Sequence, residues 1–405
     1  MKFRDILAIA SISFLIISCK TKNEKDIVKD DFSFAEKQFT LAMHETDSIV
    51  ATDKNDSLIV PRSIDKNGNL TLITSSDWCS GFFPGSLWYM YEYTQNKKWE
   101  QAARKYTDPL EPEKNNRGTH DTGFMMYCSF GNGYRLTKDN KYKQILLQTA
   151  KSLSSRYYPK AKIIRSWDFD QHIWQCPVII DNMMNLELLF WAFSETKDST
   201  YYNIAVNHAK TTMKNHFRED YSSYHVVDYD TITGNVRLKQ THQGYSDNSA
   251  WSRGQAWGIY GYTMCFRETK LPEFLEQAKH IANFIFSNPN MPEDLIPYWD
   301  FDAPNIPNEP KDVSAATVTA SALYELSLYD KENAVQYKKW ADTIIENLSS
   351  NYLAKVNGDH GFLLLHSTGA KMYDSEIDVP LSYADYYFLE ALLRKQKLEQ
   401  TGKIF

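Results

Sequence analysis

Residues 181–197 read DNMMNLELLFWAFSETK, a polar Asp-Asn start followed by a run that is apolar on almost every face of a helix. A helix clothed in apolar side chains all round belongs inside a protein. Five more segments share this grammar: SGFFPGSLWYMYEYT from Ser80, TGFMMYCSFGNGYRLT from Thr122, RGQAWGIYGYTMCFRET from Arg253, SAATVTASALYELSLY from Ser314 and PLSYADYYFLEALLRK from Pro380. Between them lie amphipathic segments with charged faces, including YKQILLQTAKSLSSRYY from Tyr142, YYNIAVNHAKTTMKNHF from Tyr201, FLEQAKHIANFIFS from Phe274 and NAVQYKKWADTIIENLSS from Asn333. A shorter one spans Trp99 to Tyr106, and FSFAEKQFTLAMHETDSIV, from Phe32, is placed to close a ring against the last buried helix. Six buried helices alternating with six amphipathic ones predict an all-α fold, an (α/α)6 barrel, in one domain over residues 32–405. Strand patterns are weak, and the irregular spacing of the repeats points to a toroid with long loops rather than a regular solenoid.

The bulk composition agrees with a large folded core. The chain has 405 residues, 42% hydrophobic and 14% aromatic, with a net charge of −6. That charge and the lack of a basic run exclude a general nucleic-acid-binding surface. No metal-ligand, Walker or dinucleotide motif is present, so neither a metal nor a cofactor is expected. At the N-terminus, Lys2 and Arg4 precede the apolar run ILAIASISFLII, which ends in Ser18-Cys19. The run is too short to span a bilayer and reads as an export signal over residues 1–18, with Cys19 as the lipidated first residue of an exported, membrane-anchored lipoprotein. Residues 19–31 are polar and charged, suiting a tether. The other cysteines, Cys79, Cys128, Cys176 and Cys265, are scattered and are expected as buried free thiols.

In such a ring the inner helices run the same way, so their polar starts gather on one rim. His120-Asp121, Asp77-Trp78, Asp181-Asn182 and Trp251-Ser252-Arg253 all fall there. Helix capping explains one such residue, not two carboxylates, an arginine and several tryptophans together. Aromatic faces stack on the C–H surfaces of sugars, while carboxylates and amides bond hydroxyls. Asp121 and Asp181 form a candidate pair whose proton affinities a shared apolar pocket would split, though the physics of the sequence leaves open which is the acid. Arg253 has two readings, a donor to a substrate carboxylate or an internal salt bridge to Asp181 or Asp121. The loop from Tyr298 to Asp312, YWDFDAPNIPNEPKD, is expected over the rim.

The motifs WCSGFFPGSLWYMYE, HDTGF, RSWDF, DNMMNLELL, THQGYSDNSAWSRGQAWGIYGY and PYWDFDAP, taken together, resemble the unsaturated glucuronyl hydrolases of glycoside hydrolase family 88. The resemblance implies an (α/α)6 barrel and action on oligosaccharides that polysaccharide lyases leave with a Δ4,5-unsaturated uronic acid at the non-reducing end. In that chemistry one acid protonates C4 of the vinyl ether, water adds at C5, and the hemiketal opens to expel the aglycone. It further implies Asp181 as general acid/base and Asp121 as its partner. His120, Trp78, His225, Gln243, Trp251, Arg253 and Trp257 then surround the sugar. Two rival readings are an unsaturated rhamnogalacturonyl hydrolase of family 105, acting on pectin fragments, and a surface lipoprotein that binds glycans without turnover.

Overall fold

The computed structural model describes residues 26–52 and 57–405. Within them, outer and inner helices alternate along the chain. The first half runs α1 (Ile27–Val50, outer), α2 (Phe82–Thr94, inner), α3 (Lys97–Thr107, outer), α4 (Asn132–Thr137, inner), α5 (Asn140–Ser154, outer) and α6 (Asn182–Thr196, inner). The second runs α7 (Ser199–Asn215), α8 (Ser252–Thr269), α9 (Pro272–Ser287), α10 (Val313–Tyr329), α11 (Ala334–Asn347) and α12 (Ser382–Thr401), again outer then inner. A π-helical stretch, Gly123–Gly131, leads into α4 and completes that inner position. Each inner helix packs on the next, and α12 packs on α2, so the ring closes; α1 covers the seam between them. The result is the (α/α)6 barrel that the alternation predicts. Inner helices are buried along nearly their whole length, α10 from Val313 to Ser327 without a break, which is why they are apolar all round.

Four of the inner-to-outer connections are one turn used four times. Thr94, Thr137, Thr196 and Thr269 each end an inner helix and donate their hydroxyl to the carbonyl four residues back. The following residue, Gln95, Lys138, Lys197 or Lys270, is left-handed, with φ between 55° and 62°. Each threonine oxygen then accepts the N–H two residues on. In three cases that residue, Asn96, Asp139 or Asp198, caps the outer helix with its side chain; in the fourth, Pro272 opens it. The turn satisfies end groups of both helices within three residues, which makes a tight antiparallel hairpin.

The tether ends earlier than expected. Asp26 caps α1 by accepting from the Lys29 N–H at 3.1 Å, and Val28, Asp31 and Phe32 are buried. Residues 27–31 therefore belong to the barrel, because Val28 and Phe32 lie one turn apart on the face that packs inward. The export signal, Cys19 and the start of the tether lie outside the described residues.

Short strands decorate the opposite, N-terminal rim: hairpins β1 (Val60–Ile64)–β2 (Leu70–Ile73) and β3 (Tyr157–Tyr158)–β4 (Ile163–Ile164), and an antiparallel sheet of β5 (Pro177–Ile179), β6 (Val226–Tyr229) and β7 (Val236–Gln240) in that order. Near the far end of the barrel lies a cavity of about 410 Å³, bordered by Glu92, Arg135, Arg267, Glu390 and Arg394. Its charges are paired: Arg135 and Lys397 with Glu92, Arg267 and Arg394 with Glu325.

Candidate active site

A ladder of extended chain brings the two aspartates together. The His120 N–H donates to the Ser166 carbonyl at 2.9 Å, and the Ser166 N–H donates to the Pro177 carbonyl at 2.8 Å. Strand β5 then pairs with β6, Ile179 opposite Val226, and the Ile180 N–H donates to the His225 carbonyl at 3.1 Å. His120-Asp121, Asp181 and His225 thus enter one space from neighbouring rungs. Gly123 tightens the assembly. A Cβ there would lie 2.4 Å from Asn185 Oδ1 and 2.6 Å from Asn185 Cα, so only glycine lets this backbone touch the first turn of α6. The Asn185 side-chain oxygen Oδ1 accepts the Phe124 N–H at 2.8 Å and locks the contact.

The environments of the two carboxyls differ in kind. At Asp121 burial opposes ionisation. His120, whose Nε2 lies 3.1 Å from Oδ1, the Thr119 hydroxyl donating to Oδ2 at 2.6 Å, and more distant Arg156 outweigh it and hold the pKa below 3.8. At Asp181 burial wins: 7% exposed, with the Asp121 charge adding to the effect against His120 and Arg253, it is pushed up to about 7. One carboxyl is an anion and the other carries a proton near neutrality, the split that acid catalysis requires. The choice left open by the sequence falls on Asp181 as the proton-bearing group.

His225 faces it. Its Nδ1 accepts the N–H groups of both His242 and Gln243 at 3.0 Å, and burial pushes its pKa well below 6.5. The ring is therefore neutral with its proton on Nε2, which points at Asp181 Oδ2 across 3.7 Å. That gap is too long for a hydrogen bond, and neither atom has another partner among the described residues. Two buried polar atoms left facing each other unpaired are a seat for a hydroxyl or water.

The remaining expected residues lie around this centre in different roles. Trp78 is half-buried at the rim, its ring 5.0 Å from Tyr383 and 5.6 Å from Phe124. Trp251 is buried against the His225 ring at 4.5 Å. Trp257 is fully buried between Phe124 and Tyr387, with its Nε1–H unpaired among the described residues. Gln243 is half-buried and touches Arg253 through Oε1 at 3.3 Å. Arg253 itself is 1% exposed. Its terminal nitrogens donate to Asp312 at 2.6 Å, the Thr368 carbonyl at 2.7 Å and the Gly369 carbonyl at 2.6 Å. The internal salt bridge exists, but to Asp312 rather than to Asp181 or Asp121, because α10 starts beside α8 and offers its capping carboxylate. The Tyr298–Asp312 loop is likewise a buttress. Trp299 and Asp300 are buried, and Asp300 accepts from Tyr245 N–H and the Ser249 hydroxyl at 2.8 and 2.7 Å, bracing the segment that carries Trp251. Tyr383, whose buried hydroxyl has no partner among the described residues and whose ring lies beside Trp78 and Arg253, escaped the sequence reading. It sits second in α12, where its start, LSY, carries no charge to mark it.

An ionised and a protonated carboxyl close enough for one charge to act on the other, with Trp78, Trp251 and Trp257 around them, suit acid catalysis on a sugar, and the double helical ring places the molecule among the (α/α)6 glycoside hydrolases. Comparison with known proteins narrows the class. The profile of Glycosyl Hydrolase Family 88 matches residues 59–323. An unsaturated glucuronyl hydrolase of Formosa agariphila is 44% identical over 400 residues, covering 97% of this chain and 98% of its own. That of a Bacillus species is 33% identical, covering 83% and 91%. The crystal structure of an unsaturated glucuronyl hydrolase specific for heparin superposes with a TM-score of 0.87 at 48% identity, covering 93% of this chain and 98% of that one. The chain belongs to family 88, and it is a glycoside hydrolase.

Proposed function

We propose that this enzyme removes the Δ4,5-unsaturated uronic acid from the non-reducing end of lyase-generated glycosaminoglycan oligosaccharides. Asp181 is its single acid/base and Asp121 its positioning anion. The observation that carries the assignment of roles is the split of the pair, Asp181 near 7 and Asp121 below 3.8. Protonated Asp181 gives its proton to C4 of the vinyl ether, leaving an oxocarbenium cation over C5 and O5. Asp181, now a carboxylate, takes a proton from water as the oxygen bonds C5. The C5 hemiketal opens to a ketone, and the hemiacetal so freed at C1 releases the aglycone alcohol. Atoms balance as one water added, and Asp181 ends as it began. The neutral Nε2–H of His225 supports a hydroxyl or the water at the 3.7 Å gap.

The substrate class draws support from the relatives. One is described as specific for heparin, others in Streptococcus agalactiae and Streptococcus pneumoniae as unsaturated chondroitin disaccharide hydrolases. A Streptococcus agalactiae variant was crystallised with dGlcA-GalNAc6S. These names favour glycosaminoglycan fragments over pectin fragments, and turnover over mere binding. The test is the ultraviolet absorbance of the C4=C5 double bond conjugated with the uronic carboxylate, which hydration abolishes. Wild type should bleach unsaturated heparin or chondroitin disaccharides, while Asp181→Asn binds but does not bleach them; bleaching by the variant ends the assignment. We propose also that the chain is exported and held to a membrane through Cys19. Membrane fractionation of Cys19→Ser, expected to release the protein, tests this; a variant still sedimenting with membranes refutes it.

A further inference from the structure

The end of the barrel opposite the carboxyls carries a ring of charge that the chemistry above does not use. An exposed lysine stands at the start of every outer helix: Lys29 on α1, Lys97 on α3, and Lys138, Lys197, Lys270 and Lys331 just before α5, α7, α9 and α11. Lys97 pairs with Glu100 at 2.6 Å; the other five form no ion pair among the described residues. The carboxylates of this end are mostly engaged. Asp26, Asp139 and Asp198 accept N–H groups of the helices they cap. Glu195, Glu268 and Glu273 hold Lys143, Arg267 and Lys210. Asp30 and Glu332 stay exposed, so the unpaired cations are in excess. Two large apolar side chains open to water among them: Val335, 77% exposed in the first turn of α11, and Phe405, 68% exposed beyond α12. Lysines interleaved with exposed apolar groups suit the boundary between water and an anionic lipid surface.

The chain enters the barrel at this same end. Phe32, near the start of α1, stacks on Tyr93, near the end of α2, with centroids 3.9 Å apart. Phe39, further along α1, meets Phe83 at the start of α2 at 6.0 Å. The two helices are therefore antiparallel, and Asp26 lies among the lysines rather than beside the mouth. Cys19 is seven residues before Asp26, so the covalent link between them reaches at most about 25 Å. Helix α1, of 24 residues, is about 36 Å long. The link is shorter than the helix that separates its point of attachment from the mouth.

We infer that the lysine-bearing end is a docking face for an anionic phospholipid surface, which turns the carboxyl mouth away from the bilayer. The inference rests on the Cys19 anchor proposed above and adds to it an orientation. The lipid holds the molecule near the membrane; the lysines, within a screening length of the headgroups, decide which end faces them.

The experiment inserts the full-length protein into preformed vesicles, of phosphatidylcholine alone or of phosphatidylcholine and phosphatidylglycerol in equal parts. Flotation reads attachment, and mass spectrometry after amine labelling reads each lysine. Lys138, Lys197 and Lys270 should label roughly tenfold more slowly on the phosphatidylglycerol vesicles, while Lys160, Lys162 and Lys239 on the mouth rim label equally on both. In about 1 M salt, where the screening length is about 3 Å, that protection should vanish with the protein still attached. The triple variant Lys138→Glu, Lys197→Glu, Lys270→Glu should float and hydrolyse substrate as wild type does, yet lose the protection of Lys29 and Lys331. Equal labelling of these lysines on both vesicle types, in protein that floats with them, overturns the docking face and leaves the anchor standing. Protection of the mouth-rim lysines instead overturns the orientation. Protein that floats with neither vesicle overturns the anchor and the face together.

Discussion

Replacing Asp181 by Asn should make the protein more stable as it becomes inactive. The folded-state value near 7 stands about three units above the ordinary 3.8, and each unit is worth about 1.4 kcal/mol. The unfolded chain ionises this carboxyl as pH rises past 3.8, while the folded chain keeps its proton until about 7. Stability is therefore lost across that window and the penalty levels off above it, at about 4 kcal/mol. At 7% exposure little of this is screened away. Asparagine does not ionise, and its Oδ1 can take the place of Asp181 Oδ2 opposite the His225 Nε2–H. Urea unfolding of wild type and variant at about pH 5 and about pH 8 reads the effect directly. The stability gap in the variant's favour should widen by roughly 2–3 kcal/mol between the two. A gap that stays flat with pH refutes the raised pKa, and with it the reason for choosing Asp181 as the acid.

Other expectations follow from single contacts. The alkaline limb of kcat/KM should fall as Asp181 deprotonates near pH 7. Asp121→Asn removes a charge that raises Asp181, so the residual activity should lose its alkaline limb at lower pH; a limb that does not move separates the two groups. Asp312→Ala strands Arg253, 1% exposed, without its counter-ion. Urea titration should show a loss of about 3–5 kcal/mol, partly recovered in the double variant with Arg253→Met. Gly123→Ala drives a methyl to 2.4 Å from Asn185 Oδ1. It should cost about 1–3 kcal/mol and roughly a hundredfold in turnover through the displaced Asp121; wild-type kinetics in that variant would show that the close approach does not position the carboxylate.

How much of this was legible in the chain depends on the range of each cause. The inner helices were legible because burial on all sides leaves an apolar run such as MMNLELLFWAF at 183–193 with no alternative placement. The rim residues were legible as a group because a shared helix direction gathers their starts. The ladder that aligns them was not. Its strands run three to five residues, as in Pro177–Ile179, too short for an alternation to stand out. Arg253's true partner, Asp312, lies 59 residues on and was hidden by the more conspicuous aspartates. The proton assignment rests on burial, Thr119 and His120, quantities that only the folded geometry supplies. The repeated Thr-Lys-Asp at 137–139 and 196–198 was visible and announces the hairpin turn.

Those turns gather Lys97, Lys138, Lys197 and Lys270, all exposed, at the end of the barrel away from the reacting carboxyls. These four amines are attachment points remote from the entrance, so a molecule immobilised through them keeps its entrance open to dissolved oligosaccharide, whereas attachment through Lys160, Lys162 or Lys239 on the other rim would not. The asymmetry that lets one end be purely architectural leaves the other free to be purely chemical.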